Sequence, residues 1–212
     1  MISSIERNKS ILAKYIPEQA VDTITNWIYK YNFKLKIKKS RNSKEGDYTA
    51  PRNGLNHRIT VNHDLNKYSF LITLVHEIAH LATWEKHKGK VKPHGTEWKM
   101  EFNELMNIFL SEEKNVFPHD IDIAIHRYMQ NPSAASCTDL HLSRILKTYN
   151  KISNHFLEQI PEGTNFIIVH KNKRHETQVF KKGSKQKKRF HCVELRTGKK
   201  YMIHPLCEVI TV

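Results

Sequence analysis

The chain predicts an α+β protein: a mainly helical part with a small β-sheet, followed by a small C-terminal β module. Three observations carry this. Apolar residues recur at helical spacing through most of the chain up to Leu157. Two short runs, Phe33–Lys39 and His57–His63, read instead as strands on either side of a loop. From about Pro161 onward, brief β-like runs are divided by Gly163, Gly183, Gly198 and Pro205. The division falls between residues 1–158 and 159–212.

In order, Ile5–Tyr31 reads as helical and is interrupted at Pro17, with Ile16, Ala20, Val21, Ile24, Trp27 and Ile28 on one face. Phe33, Leu35 and Ile37 alternate with lysines, the pattern of a half-buried strand. Ser40–Asn56, with Gly46, Pro51 and Gly54, reads as loop. After the second strand, Asn66 is placed to cap Ser69–Trp84, a long and mostly apolar stretch that predicts one buried helix. Thr96 could cap the next helix, whose apolar face holds Trp98, Phe102, Leu105, Met106 and Phe109. Ile121–Met129 and Asp139–Leu157 are two more helical segments, on either side of a loop at Pro132. The β module is expected from Phe166–Val169, Gln178–Phe180, Phe190–Val193 and Tyr201–Ile203.

Charge narrows the class of partner. Lys and Arg number 35 against 21 Asp and Glu, a formal net charge of +14, which concentrates polyanions near the surface. Between Lys171 and Arg189 nine basic residues face only Glu176. The densest part, Lys181, Lys182, Lys185, Lys187, Lys188 and Arg189, is bracketed by Phe180 and Phe190 and is the candidate nucleic-acid contact. A lysine-rich hairpin that keeps strand edges from pairing is the competing reading.

Cys137, Cys192 and Cys207 are odd in number and irregularly spaced, which favours a reducing cytoplasm over a disulfide framework. His191, Cys192, His204 and Cys207 offer metal donors, but neighbouring strand residues such as His191 and Cys192 point to opposite faces. Core cysteines explain them as well. No apolar run approaches the roughly 20 residues that span a bilayer, and Met1–Arg7 lacks a signal-peptide core. The expectation is a cytoplasmic protein, compatible with nucleoid association and without a membrane partner.

The chemistry centres on His76-Glu77-Ile78-Ala79-His80. Residues four apart share a helix face, so His76 and His80 can aim two imidazoles at one cation with Glu77 beside it. Apolar Val75, Ile78, Ala79, Leu81 and Ala82 predict a buried helix, whereas incidental histidines on a solvent-facing helix predict polar flanks. Catalytic zinc takes three protein ligands and keeps one open position, where a neighbouring carboxylate can serve as base.

His94 is the best-placed third ligand, because thirteen residues separate it from His80 and allow the chain to turn back. His57, His63 and His87 are rivals. His87 ranks second: no glycine precedes Gly89, so a helix continuing past Trp84 keeps His87 on the wrong side.

These residues resemble the SprT-like zinc metalloproteases, the group that includes the Spartan-type proteases. The matching parts are HEIAH, the later His94-Gly95-Thr96-Glu97-Trp98, and an upstream block from Arg41 through Gly46-Asp47-Tyr48 to His57–Asn62. The likeness covers roughly Ile11 to Phe109, and Asn131–Cys137 is similar to bacterial members. It implies a zincin-like core and a zinc-dependent endopeptidase with one catalytic zinc, His76, His80 and His94 as ligands, and Glu77 as general base. It also implies a protein substrate that is DNA-associated or crosslinked to DNA. Many bacterial members end in a four-cysteine zinc ribbon, and this chain has three cysteines in all. Tyr48, Arg52, His57 and Arg58 are the candidates to steady the oxyanion. The alternative function is a nucleic-acid-binding or transcription-associated protein with a non-proteolytic zinc site; a hydrolase acting on other bonds is a third.

Overall fold

In the computed structural model, residues 4–41, 44–52, 54–111, 113–132, 139–150, 154–169 and 178–212 are described. Two compact units divide the chain, residues 1–150 and 151–212. In the first, the helical stretch expected around Pro17 is α1 (Ser4–Leu12), a 3-10 turn (Glu18–Ala20) and α2 (Val21–Lys30). Pro17 sits at φ −56° and ψ 142°, an extended conformation that cannot continue a helix.

Strands β1 (Lys34–Lys38), β2 (Gly46–Thr49) and β3 (Arg58–Asn62) form a sheet ordered β1-β3-β2. β1 runs parallel to the central β3 and β2 antiparallel to it. β2 corrects the expectation of a loop over Ser40–Asn56. Its sequence Gly-Asp-Tyr-Thr shows no apolar alternation, and backbone pairing of Gly46 with Val61 through Thr49 with Arg58 makes it a strand.

Helix α3 (Lys67–His87) is the longest element at 21 residues. Asn66 caps it as expected, with Oδ1 accepting from the Ser69 N–H at 2.9 Å. The same side chain donates to the Leu146 carbonyl at 2.8 Å and to Asn150 Oδ1 at 2.9 Å, so the cap also ties down a distant turn. Phe70 to Ala79 are buried without a break, the mark of a helix enclosed on every side. α3 packs against β2, β3 and α4 (Thr96–Asn107). Gly95, and not Thr96, is the N-cap of α4: the chain turns into the helix one residue early, and the Gly95 carbonyl accepts from the Lys99 N–H. Trp98, Phe102, Leu105, Met106 and Phe109 are all buried, as the spacing requires.

α5 (His119–Met129) and α6 (Leu140–Thr148) complete the unit, with Asp139 Oδ1 capping α6 through the Leu142 N–H. The helix expected to reach Leu157 stops at Thr148. Beyond it, β4 (His155–Phe156) pairs with the last strand, and a 3-10 turn (Leu157–Gln159) follows. Leu157 and Ile160 lie in the second unit's core, so tertiary pairing overrides the helical spacing there.

The second unit is a six-stranded antiparallel sheet. It adds β5 (Asn165–Ile168), β6 (Val179–Gln186), β7 (Arg189–Glu194), β8 (Lys200–Ile203) and β9 (Glu208–Thr211), in the order β4-β9-β5-β6-β7-β8. β4 and β9 go beyond the runs that the sequence pattern predicts. β6 extends through the lysines because pairing with β7 continues past a register shift between Lys182 and Lys185. Phe166, Phe180, Phe190, Cys192, Ile203 and Val209 fill its core.

Asn66→Ala is expected to destabilise the first unit by about 1–3 kcal/mol, since it removes a cap and two long-range hydrogen bonds. Urea unfolding followed by the tryptophans of that unit measures it. Asn66→Asp keeps the cap acceptor and isolates the contribution of the two donated bonds.

Candidate metal centre

One turn of α3 carries His76 and His80, and the loop before α4 returns His94 to them. His94 holds φ +57°, a left-handed conformation uncommon for a residue with a Cβ and concentrated at functional sites. The three Nε2 atoms converge: His76 to His94 is 3.2 Å and His80 to His94 is 2.8 Å. Trp98, with 1% of its surface exposed, packs against all three rings at centroid distances of 4.6, 5.4 and 4.7 Å. It joins α4 to α3 through the imidazoles, the packing role its position predicts.

Burial dominates the charge state of these groups. It pushes His76 down to about 3, helped by His80 and His94, and His80 down to about 4, helped by His94. His94 is lowered as well, by burial. All three are therefore neutral near pH 7 and present lone pairs, the form that binds a metal. With the ring protons on Nδ1, all three Nε2 lone pairs face a common point where a cation can sit. Tetrahedral zinc with nitrogens at about 2.0–2.1 Å spaces them ~3.3 Å apart, close to the spacing here, so the donor set fits zinc. His76 Nδ1 is buried and has no hydrogen-bond partner among the described residues.

The cluster opens into a cleft of about 250 Å³, lined also by Gly46, Asp47, Tyr48 and Glu77. Glu77 is 7% exposed, and its carboxyl is pushed up to about 8. Burial is the main cause and Asp47 adds to it, while Lys44, Arg41 and the Tyr48 backbone N–H oppose. Tyr48 stacks parallel to His80 at 6.4 Å. Its hydroxyl is held well above the usual tyrosine range by burial and by Glu85, so it stays protonated and donates to His57 Nδ1 at 2.8 Å. His57 Nε2–H in turn donates to Glu85 Oε1 at 2.7 Å, and Glu85 also accepts from Lys88 at 2.8 Å. Glu85 is held below the usual range, chiefly by that Lys88 bond.

Of the four oxyanion candidates only Tyr48 lines the cleft. His57 stands behind it, Arg52 pairs in a bridge with Leu55, and Arg58 is exposed beside Thr49. Among the histidine rivals, His63 is exposed, His57 is engaged with Tyr48 and Glu85, and His87 is the last residue of α3, outside the cluster. Sequence reasoning assigns Gly46 and Asp47 no role in the site. The signal available is a glycine opening a short polar run ahead of the strand.

The basic set is reduced by one. Lys181, Lys185, Lys187, Lys188 and Arg189 are exposed on β6, β7 and the turn between them. Lys182 is 5% exposed, and its ammonium donates to the Ile160 carbonyl at 2.5 Å and lies 4.1 Å over the Phe190 ring, so it is not free to meet a phosphate. Phe180 and Phe190 are core residues, not exposed stacking platforms. Lys171, Lys173, Arg174, Glu176 and Cys137 lie outside the described residues. Cys192 is fully buried and Cys207 packs against the same core; among the described residues only His76, His80 and His94 gather three metal donors.

The fold and site thus define an α+β protein with a three-histidine centre suited to a metal and an adjoining carboxylate. Residues 14–122 match the SprT-like family, a family of metallopeptidase type, and the chain belongs to it. Protein SprT of Escherichia coli O157:H7 is 33% identical over 72 residues, which is 29% of this chain and 43% of that protein. The chain therefore spans less than half of that relative's length. No solved structure matches. Among the described residues no helix is long and apolar enough to cross a membrane.

The wild type is expected to hold about one zinc per chain and His94→Ala to lose most of it, because two imidazoles on one helix leave an incomplete site. His87→Ala should retain about one zinc per chain by elemental analysis. The reverse pattern transfers the third position to His87.

Proposed function

We propose that the protein is a zinc-dependent endopeptidase with a zincin-like core, acting on DNA-associated or DNA-crosslinked proteins. The observation that carries this reading is the convergence of His76, His80 and His94 beside Glu77 in one open cleft. His76, His80 and His94 would hold the zinc, which would supply a Lewis acid and lower the pKa of a water. Glu77 is the general base: it takes the proton of the attacking water and passes it to the leaving amine. Burial holds the Glu77 carboxyl above the usual carboxylate range, and a cation held by the three histidines would lower it again toward the ionised form that a base requires. Tyr48, kept protonated and oriented by His57, is the donor nearest the chemistry for a developing oxyanion.

DNA as the place where substrate is met rests on charge. The net +14, the exposed Lys181, Lys185, Lys187, Lys188 and Arg189 in the second unit, and, separately, Lys34, Lys36, Lys38 and Lys39 along the β1 segment of the first attract phosphate without reading bases. The cleft is open along its described lining, which suits a substrate selected by location and by flexibility of the segment presented. We place this activity in the cytoplasm, at the nucleoid.

Cleavage of a DNA-bound protein by wild type and by Glu77→Gln, with and without DNA, tests the reading. Glu77→Gln is expected to lose activity by about a hundredfold or more while zinc and DNA binding persist, and DNA should stimulate wild type. A wild type that holds zinc and binds DNA yet cleaves no protein favours the nucleic-acid-binding alternative.

Replacing Lys181, Lys185, Lys187, Lys188 and Arg189 by serine is expected to weaken DNA binding similarly for all sequences. The slope of log K against log salt should become shallower, by roughly one for each phosphate that is no longer neutralised. An unchanged slope moves the DNA-binding surface to the β1 lysines.

A further inference from the structure

We propose that strand β2 sets the position of the Glu77 carboxylate: Gly46 leaves the space that the carboxylate occupies, and the Tyr48 backbone N–H holds it there. This rests on the reading of Glu77 as the base, and makes Gly46 and Tyr48 positioning residues for it.

The space is measured by what a side chain would meet. A Cβ on Gly46 would stand 2.5 Å from Glu77 Oε1, 2.9 Å from Glu77 Cγ and 2.7 Å from Thr73 Cγ2. Heavy atoms do not approach so closely, so with any other residue here the carboxylate or the strand must move. Gly46 is not left-handed, and the demand for glycine is one of close approach to α3 rather than of backbone angle.

The strand is poorly able to yield. Gly46 pairs with Val61 and Tyr48 with Ile59 on β3. The chain leading into β2 is bound to the end of β3 by Asn62, whose Nδ2 donates to the Lys44 carbonyl at 2.9 Å and whose N–H donates to Glu45 at 2.9 Å. Asn62 Oδ1 also accepts from Arg41 Nε at 2.8 Å. On the far side, the Tyr48 ring is held by His57 and stacks parallel to His80. Among the described residues β2 is an edge strand paired with β3, which leaves the Tyr48 N–H open to act on Glu77, where it works against the rise that burial causes in the carboxyl. Thr73 and Glu77 are both buried on α3, but the nearest atom, Glu77 Oε1, is the far end of a flexible side chain and yields more readily than the Thr73 methyl or the helix backbone. A methyl at position 46 therefore turns the carboxylate off its seat before it disrupts the fold.

Two variants and two readouts test this. Gly46→Ala is expected to lower kcat on the order of tenfold to a hundredfold, with KM and bound zinc little changed. Gly46→Ala combined with Thr73→Ala removes the methyl conflict on the helix and leaves the conflict with Glu77, so it should recover thermal stability without recovering kcat. In NMR spectra of the zinc-loaded protein, the Tyr48 amide proton should lie downfield and move upfield in both Glu77→Ala and Gly46→Ala. A double variant as active as Thr73→Ala alone, or a Tyr48 amide indifferent to Glu77→Ala, overturns the proposal. If the amide responds as expected but wild type cleaves nothing, the seat stands and the reading of Glu77 as a base falls.

Discussion

Everything at the candidate site depends on the enclosure of α3. A helix buried on every side can carry His76, Glu77 and His80 only if the surrounding elements leave one opening, and here the sheet and α4 close the rest. Enclosure removes water from the imidazoles and keeps them neutral. It also brings three imidazole Nε2 atoms within a few ångströms of one another, where a cation among them can be met by all three at once. The same burial raises the proton affinity of Glu77. Metal-ready histidines and a protonatable carboxylate are thus two consequences of the same packing.

Around that helix the neighbours divide the work. α4 supplies Trp98, whose indole backs all three imidazoles and limits how far they can turn. β2 supplies the opposite wall through Gly46, Asp47 and Tyr48. From Tyr48 a hydrogen-bonded chain runs through His57 and Glu85 to Lys88 just beyond the end of α3, so the cleft wall and the helix terminus are held as one unit. The end of this chain that faces the cleft is uncharged, because Tyr48 keeps its proton, and Glu85 lies at the exposed end beside Lys88.

The second unit shows how far a charge run can mislead. A row of lysines reads as uniformly solvated, yet alternation along β6 sends Lys182 inward while Lys181 faces out. The buried ammonium is tolerated because it finds a carbonyl and the face of Phe190. Burial lowers its proton affinity. What remains exposed is a smaller basic patch at the β6–β7 turn, suited to a sequence-independent field rather than to an aromatic stacking platform.

Local pattern sufficed for the elements whose causes are local. The HEIAH spacing, the apolar flanks, the Asn66 cap and the α4 stripe all follow from which residues stand three or four apart, and each is found where the sequence puts it. Pro17 likewise interrupts its helix by its own geometry. Tertiary structure alone decided the rest. β2 exists because β3 pairs with it, not because Gly-Asp-Tyr-Thr prefers a strand. His155 and Phe156 are strand and not helix because they pair with β9. Lys182, Phe180 and Phe190 belong to the core and not to a binding face, because a strand's inward side is defined by what packs beneath it. His94 stands between the two: its distance from His80 and the HGTEW motif mark it in the sequence, while the approach of its ring to His76 and His80 comes from the packing of α3 and α4.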